Sequence, residues 1–169
     1  MRLESQMKLE PANSEHLQAL MTWLPDLRQC RQWGGPAFRF PFTAQTFIED
    51  CRWPDLPSCV LVNEQGEPLA FGQYYKRLDR CHLGRLIVSP EHRGTGLGRT
   101  LVIELSRKGC RELNTSECSL FVLKDNAPAR ALYRKLGFEF ADYPERHEWL
   151  EGCDYMIAAA GNFTGVGND

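Results

Sequence analysis

The chemistry-bearing stretch of this 169-residue chain is Leu86-Ile87-Val88-Ser89-Pro90-Glu91-His92-Arg93-Gly94-Thr95-Gly96-Leu97-Gly98-Arg99. An apolar strand pattern runs into three alternating glycines, and a helical pattern follows. Glycines let successive backbone N–H groups converge, and a helix N-terminus adds unpaired donors at the positive end of its dipole. With Arg93 and Arg99 added, the segment suits a phosphate or pyrophosphate. Two common phosphate-binding patterns do not fit it. The pattern G-x-x-x-x-G-K-S/T, ended on Gly98, puts Arg93 at its first glycine and Arg99 at its lysine. A dinucleotide fingerprint needs its third glycine at 99, where Arg99 stands, and expects an early strand–helix unit. What remains is R-x-x-G-x-G, carried by Arg93, Gly96 and Gly98.

A second block, Asn126-Ala127-Pro128-Ala129-Arg130-Ala131-Leu132-Tyr133-Arg134-Lys135-Leu136-Gly137-Phe138, lies on the next strand–helix junction. Together the two blocks resemble those of the GCN5-related N-acetyltransferase (GNAT) superfamily. There R-x-x-G-x-G binds the pyrophosphate of acetyl-coenzyme A, and the other block reads N-x-x-A-x-x-L-Y-x-x-L-G-F. The resemblance covers residues 59–160, and the N-terminal third matches only in its order of elements. It implies an α/β fold (an α+β mixed sheet) of the acyl-CoA N-acyltransferase type. Such a fold has a central, mostly antiparallel sheet, flanking helices and a splayed parallel strand pair, here 82–88 and 118–123. It also implies acetyl transfer from acetyl-CoA to a primary amine of a small molecule or peptide, by direct attack in a ternary complex.

The site residues follow from the same resemblance. The backbone at Leu86, Ile87 and Val88 would pair with the pantetheine arm, and an N–H there would stabilise the tetrahedral oxyanion. The amides of Arg93, Gly94, Thr95, Gly96, Leu97, Gly98 and Arg99 would hold the pyrophosphate. Asn126 would bridge to the pantetheine or order its helix, a capping role being equally compatible. Tyr133 matches the general acid that returns a proton to the departing thiolate; the alternative is a core tyrosine. An attacking amine must first lose a proton, to a group titrating near the working pH. Some superfamily members carry a glutamate six residues before the end of the fourth strand, and others a histidine on that strand. Here that position is His82, an imidazole suited by its ordinary pKa; a solvent-exposed strand histidine is the plain alternative. The glutamate that bacterial ribosomal-protein N-terminal acetyltransferases place five residues before the motif asparagine is here Phe121. Tyr74, Tyr75, Trp33, Glu145 and Glu148 are candidates for the acceptor side. A non-catalytic acyl-CoA sensor on the same fold, or an enzyme with a longer acyl donor, are the competing readings.

Other chemistries find little support. The seven cysteines (30, 51, 59, 81, 110, 118 and 153) form no C-x-x-C, and the four histidines form no H-x-x-x-H, so no metal is expected. Reduced thiols in the core are expected instead, Cys81 and Cys118 included.

These groups need elements to position them. Met7–Glu10 reads as a strand, Asn13 or Ser14 caps a helix through Trp23, and 26–42 reads as irregular. Thr43 caps a short helix with Phe47 and Ile48. Strands follow at Cys59–Val62 and Leu69–Tyr75, joined by Glu64-Gln65-Gly66-Glu67, with Lys76–Arg80 turning into His82–Val88. A helix from Leu97 should end around Gly109. Cys118–Leu123 reads as a buried strand, Ala127–Leu136 as a helix stopped by Gly137, and Phe138–Tyr143 and Asp154–Ala159 as final strands. One domain over 1–160 is expected, with 1–6 an extension and 161–169 a mobile tail.

Composition excludes whole classes. The chain is 43% hydrophobic and 25% charged, which is ordinary for a globular protein. It has no run long enough to span a membrane and no apolar leader at Met1-Arg2-Leu3-Glu4, so a cytoplasmic protein is expected. A net charge of -2 argues against general nucleic-acid binding. Yet residues 76–111 hold nine Lys or Arg against three Asp or Glu, and 139–154 hold six acidic residues against one Arg. An anionic cofactor at the first and a cationic acceptor at the second would fit, as would a solvated acidic loop. The expected partner is an amine acceptor, with a homodimer left open.

Overall fold

The structure, a computed structural model, describes residues 7–163. The expected extension 1–6 and residues 164–169 of the expected tail lie outside the described residues. Seven strands form one sheet: β1 (Lys8–Pro11), β2 (Ser58–Val62), β3 (Pro68–Arg77), β4 (Arg80–Val88), β5 (Glu117–Leu123), β6 (Glu139–Ala141) and β7 (Cys153–Ala159). Their order is β1-β2-β3-β4-β5-β7-β6. β1–β2, β2–β3, β5–β7 and β6–β7 are antiparallel, and β4–β5 is parallel. The helices are α1 (Ser14–Met21), α2 (Leu27–Gly34), α3 (Ala44–Cys51), α4 (Leu97–Leu113) and α5 (Ala127–Lys135). The mixed α/β fold expected from the sequence is the one observed.

The backbone falls into two compact units. The first runs up to Gln73 and adds Arg85–Val102; the second comprises Tyr74–Gly84 and Ile103 onward. In the first unit every residue of β2 is buried, as expected of a strand covered on both faces. Alternation sorts them. Val60, Val62 and Phe71 join Leu17, Leu20, Phe38 and Phe47, with Ile87 packed against them, while Leu61 and Ala70 join Leu101, with Leu86 and Val88 packed there.

The helix α2 was not expected. Asp26 caps it, accepting from the Gln29 backbone N–H at 2.8 Å. Of its eight residues only Cys30 is buried, so almost no apolar stripe advertises it.

In the second unit the Leu78-Asp79 turn has φ of 51° and 61°. Two left-handed central residues match the right-handed twist of a hairpin, so β3 extends to Arg77, past the expected Tyr75. Helix α4 runs past Gly109 because that glycine is a close approach and not a stop. A Cβ there would stand 2.5 Å from Cys81 Sγ and 3.1 Å from the Tyr74 ring. Beyond β7, Ala160–Asn162 makes a 3-10 turn and Phe163 is buried, so Gly161–Phe163, assigned to the tail on sequence, are part of the fold. Among the described residues no helix is long and apolar enough to cross a membrane.

Candidate functional site

In the first unit β4 ends at Val88 and the chain is tied down at once. Ser89 N–H donates to the Leu69 carbonyl at 2.8 Å, and Pro90–His92 makes a 3-10 turn. Arg93 Nε donates to the Val88 carbonyl at 3.2 Å, and Thr95 Oγ1 to the His92 carbonyl at 2.6 Å. Gly94 and Gly96 take φ of 79° and 86°, a region that a side chain disfavours. α4 then begins at Leu97, whose side chain is buried. Among the described residues, no backbone N–H from Arg93 to Arg99 donates to another group; the first to do so is Thr100, to the Gly96 carbonyl. A continuous row of free donors at the start of a helix is an anion cradle, and it lies where the sequence put the pyrophosphate loop.

The basic excess around this loop is less concentrated than the sequence total implied. Arg80 pairs with Glu117, Arg107 with Glu104 and Lys108 with Glu112. Arg93 and Arg99 have no ion pair among the described residues. Arg85, with φ of 50°, donates to Gln73 Oε1 and the Gly34 carbonyl, and its own carbonyl accepts from Trp33 Nε1 at 2.8 Å. Trp33 is thereby a structural part of the first unit, stacked on Phe47.

In the second unit the parallel ladder of β4 and β5 holds for three pairs only, Cys81 with Cys118, His82 with Ser119, and Leu83 with Leu120. His82 is 2% exposed, its Nδ1 lies 2.9 Å from Ser119 Oγ, and Phe121, Tyr75 and Tyr155 surround its ring. It is therefore not the solvent-exposed strand histidine. Burial, aided by the Arg77 charge, pushes its pKa down to about 3. The imidazole is neutral at working pH but a weak proton acceptor. That value lies below the unfolded reference of about 6.5, so between the two the unfolded chain binds the extra proton. The stability contribution is complete above the upper value and falls as pH drops toward the lower. His82→Asn should remove this slope: from pH 7 to pH 5 the parent is expected to lose about 2 kcal/mol more than the variant by denaturant titration.

Asn126 caps α5, its Oδ1 accepting from Ala129 N–H at 3.3 Å, so the capping role is the one the geometry carries. Tyr133 is half-buried, with its ring edge-on to Phe138 at 5.9 Å. Its hydroxyl has no hydrogen-bond partner among the described residues, and burial pushes the phenol up to about 12.

Beside these, residues 141–155 enclose a groove of about 500 Å³ lined by Asp142, Tyr143, Glu145, Glu148, Glu151 and Asp154 with Arg146 and His147 among others. Glu145 and Glu148 are thus in one concavity. Tyr74 is not: it is buried with its hydroxyl on Glu112. Tyr75 instead accepts a hydrogen bond from Arg77. The sequence reading missed Arg77, Tyr143 and Trp149; only the i, i+2 spacing of Tyr75 and Arg77 on one strand face could have signalled part of that group. The seven cysteines are free, six of them buried, and among the described residues no cluster could hold a metal ion.

Comparisons with known proteins bear on the family and the fold. The model of the Acetyltransferase (GNAT) family matches residues 27–138. A provisionally named ribosomal protein bS18-alanine N-acetyltransferase of Bacillus subtilis (strain 168) is 25% identical over 137 residues, covering 79% of this chain and 88% of that protein. The peptidyl-lysine N-acetyltransferase YjaB of Escherichia coli (strain K12) is 35% identical over 86 residues, 51% of this chain and 52% of that one. Among solved structures, spermidine N-acetyltransferase from Vibrio cholerae in complex with CoA and spermine superposes with a TM-score of 0.73 at 19% identity, covering 94% of this chain and 98% of that one. At that identity the likeness speaks for the fold.

Proposed function

Since the chain belongs to the acetyltransferase (GNAT) family and is an acetyl-CoA-dependent N-acetyltransferase, we propose that it acetylates a primary amine of a small molecule or peptide by direct attack in a ternary complex, within one domain over residues 1–160. The row of free amides from Arg93 to Arg99 carries this reading. Those N–H groups, with the side chains of Arg93 and Arg99, would hold the pyrophosphate of acetyl-CoA, and the backbone of Leu86, Ile87 and Val88 its pantetheine arm. The amine nitrogen attacks the thioester carbonyl carbon, the C–S bond breaks, the thiolate takes a proton from Tyr133, and the proton shed by the nitrogen as the amide forms restores the phenol. A phenol held protonated by burial is in the acid form throughout the working range. We assign His82 a structural part, since its weak basicity suits it poorly to take the ammonium proton. That proton leaves through water at the groove. Tyr133 also favours an enzyme over a sensor, which has no need of an acid.

The names of similar proteins give as acceptors an alanine of ribosomal protein bS18, a peptidyl lysine and spermidine; an amine in any of them is a cation before reaction. The groove carboxylates suit a cation, and neutralising or reversing them should weaken it. Glu148→Lys with Glu145→Lys is expected to raise KM for a cationic acceptor about tenfold, and added salt should narrow the gap between parent and variant. The test of the reading itself is thiol release from acetyl-CoA with a panel of polyamines, aminoglycosides, amino acids and peptide N-termini. Release dependent on one class supports it, and none with any class overturns it.

A further inference from the structure

The second unit holds a cation whose surroundings the reaction above does not use. Arg77 NH1 donates to Tyr143 Oη at 2.9 Å and NH2 to Tyr75 Oη at 3.1 Å. Its guanidinium carbon lies 5.5 Å from the Tyr75 ring centre, 5.3 Å from Phe121, 6.0 Å from Tyr143 and 5.9 Å from Trp149. Four rings from three segments therefore frame one half-buried guanidinium. Among the described residues no carboxylate pairs with it. Two of its five N–H groups are used, and the other three donate to no group among the described residues. A guanidinium partly withdrawn from water, fixed by two phenols and lacking a counter-ion, is arranged for a planar anion taken bidentately.

The frame adjoins the groove, since Tyr143, which accepts from Arg77, also lines the groove. The groove's carboxylates constrain what can come. A ligand carrying only an anion would be repelled by Glu145, Glu148 and their neighbours. A ligand carrying only cations would leave Arg77 as it stands, unpaired. A molecule with an ammonium group and a carboxylate satisfies both walls. We propose that Arg77 is the specificity-determining residue of the acceptor site and that the acceptor is an amino-carboxylate, an amino acid or close relative, held by its carboxylate at Arg77. This deepens the acetyl-transfer reading and rests on it.

The test compares amino acids with their carboxamides as acceptors, at matched side chain, with kcat/KM expressed per unprotonated amine because loss of the carboxylate charge lowers the amine's pKa. The parent enzyme is expected to favour the acid in kcat/KM by about ten- to a hundredfold, the worth of a charge-assisted pair. Arg77→Gln should bring the acid-to-amide ratio to about one, and Arg77→Lys, with the charge but not the fork, to an intermediate value. Equal use of acid and amide by the parent overturns the proposal whether or not the variants fold, as does a ratio that survives Arg77→Gln. Acetylation confined to polyamines or peptide N-termini also overturns it while leaving acetyl transfer intact. If no amine is acetylated, the underlying reading fails instead. Calorimetry of an N-acetylated amino acid against its amide then decides the carboxylate subsite alone: preferential binding of the acid supports it, and equal binding overturns it.

Discussion

Replacing Gly96 by aspartate is expected to lower coenzyme A affinity at least a hundredfold, measured by calorimetry on the free cofactor. Two effects contribute and they differ in size. The backbone at Gly96 is left-handed, at φ 86°, and a side chain there costs about 1–2 kcal/mol, less for Asp and Asn, which tolerate the region best. A carboxylate within about 5 Å of a pyrophosphate adds about 3 kcal/mol of repulsion for each negative charge at an effective dielectric of 20. The charge therefore outweighs the strain. Gly96→Asn, equal in shape and neutral, should lose no more than about tenfold. Space does not confound the comparison, since a Cβ at Gly96 meets no heavy atom within 4 Å. Aspartate and asparagine variants that bind coenzyme A alike would remove the pyrophosphate from this loop.

The second large effect is on turnover. Tyr133→Phe is expected to lower kcat by about 10²- to 10⁴-fold, the range for loss of a positioned proton donor. Stability should stay within about 0.5 kcal/mol of the parent, because the hydroxyl has no partner to lose among the described residues and its removal relieves a desolvated polar group. Coenzyme A affinity should change little, so the loss appears in kcat and in single-turnover rate. With the phenol held near 12, any fall in rate between pH 8 and 10 would belong to another group. Turnover equal to the parent's would end the proposed acid role and leave Tyr133 a packing residue.

What could be read from the sequence was whatever depends on neighbours in the chain. Gly94 and Gly96 mark a turn because glycine's backbone freedom is a local property, and Asn126 caps its helix through a residue three positions on. Thr43 and Phe47 marked α3 for the same reason. The aromatic frame around Arg77 was hidden because Tyr75, Phe121, Tyr143 and Trp149 meet only when β3, β5 and the segment leading to β7 are in place. No spacing encodes that meeting. His82 shows the other kind of miss. Its place on the strand was readable, but its basicity depends on burial by residues 75, 121 and 155. Gly109 shows a third, in which a residue that usually ends a helix sits inside one for the sake of a distant side chain.

That last contact has a consequence for how the chain can vary. With Cys81 Sγ 2.5 Å from where a Cβ at 109 would stand, position 109 is not free to grow while 81 keeps its size. Alanine at 109 becomes tolerable only after 81 has shrunk, so an inherited change must take those steps in one order. Twenty-eight residues apart in sequence, the two positions behave as a single epistatic unit beneath the strand that carries His82.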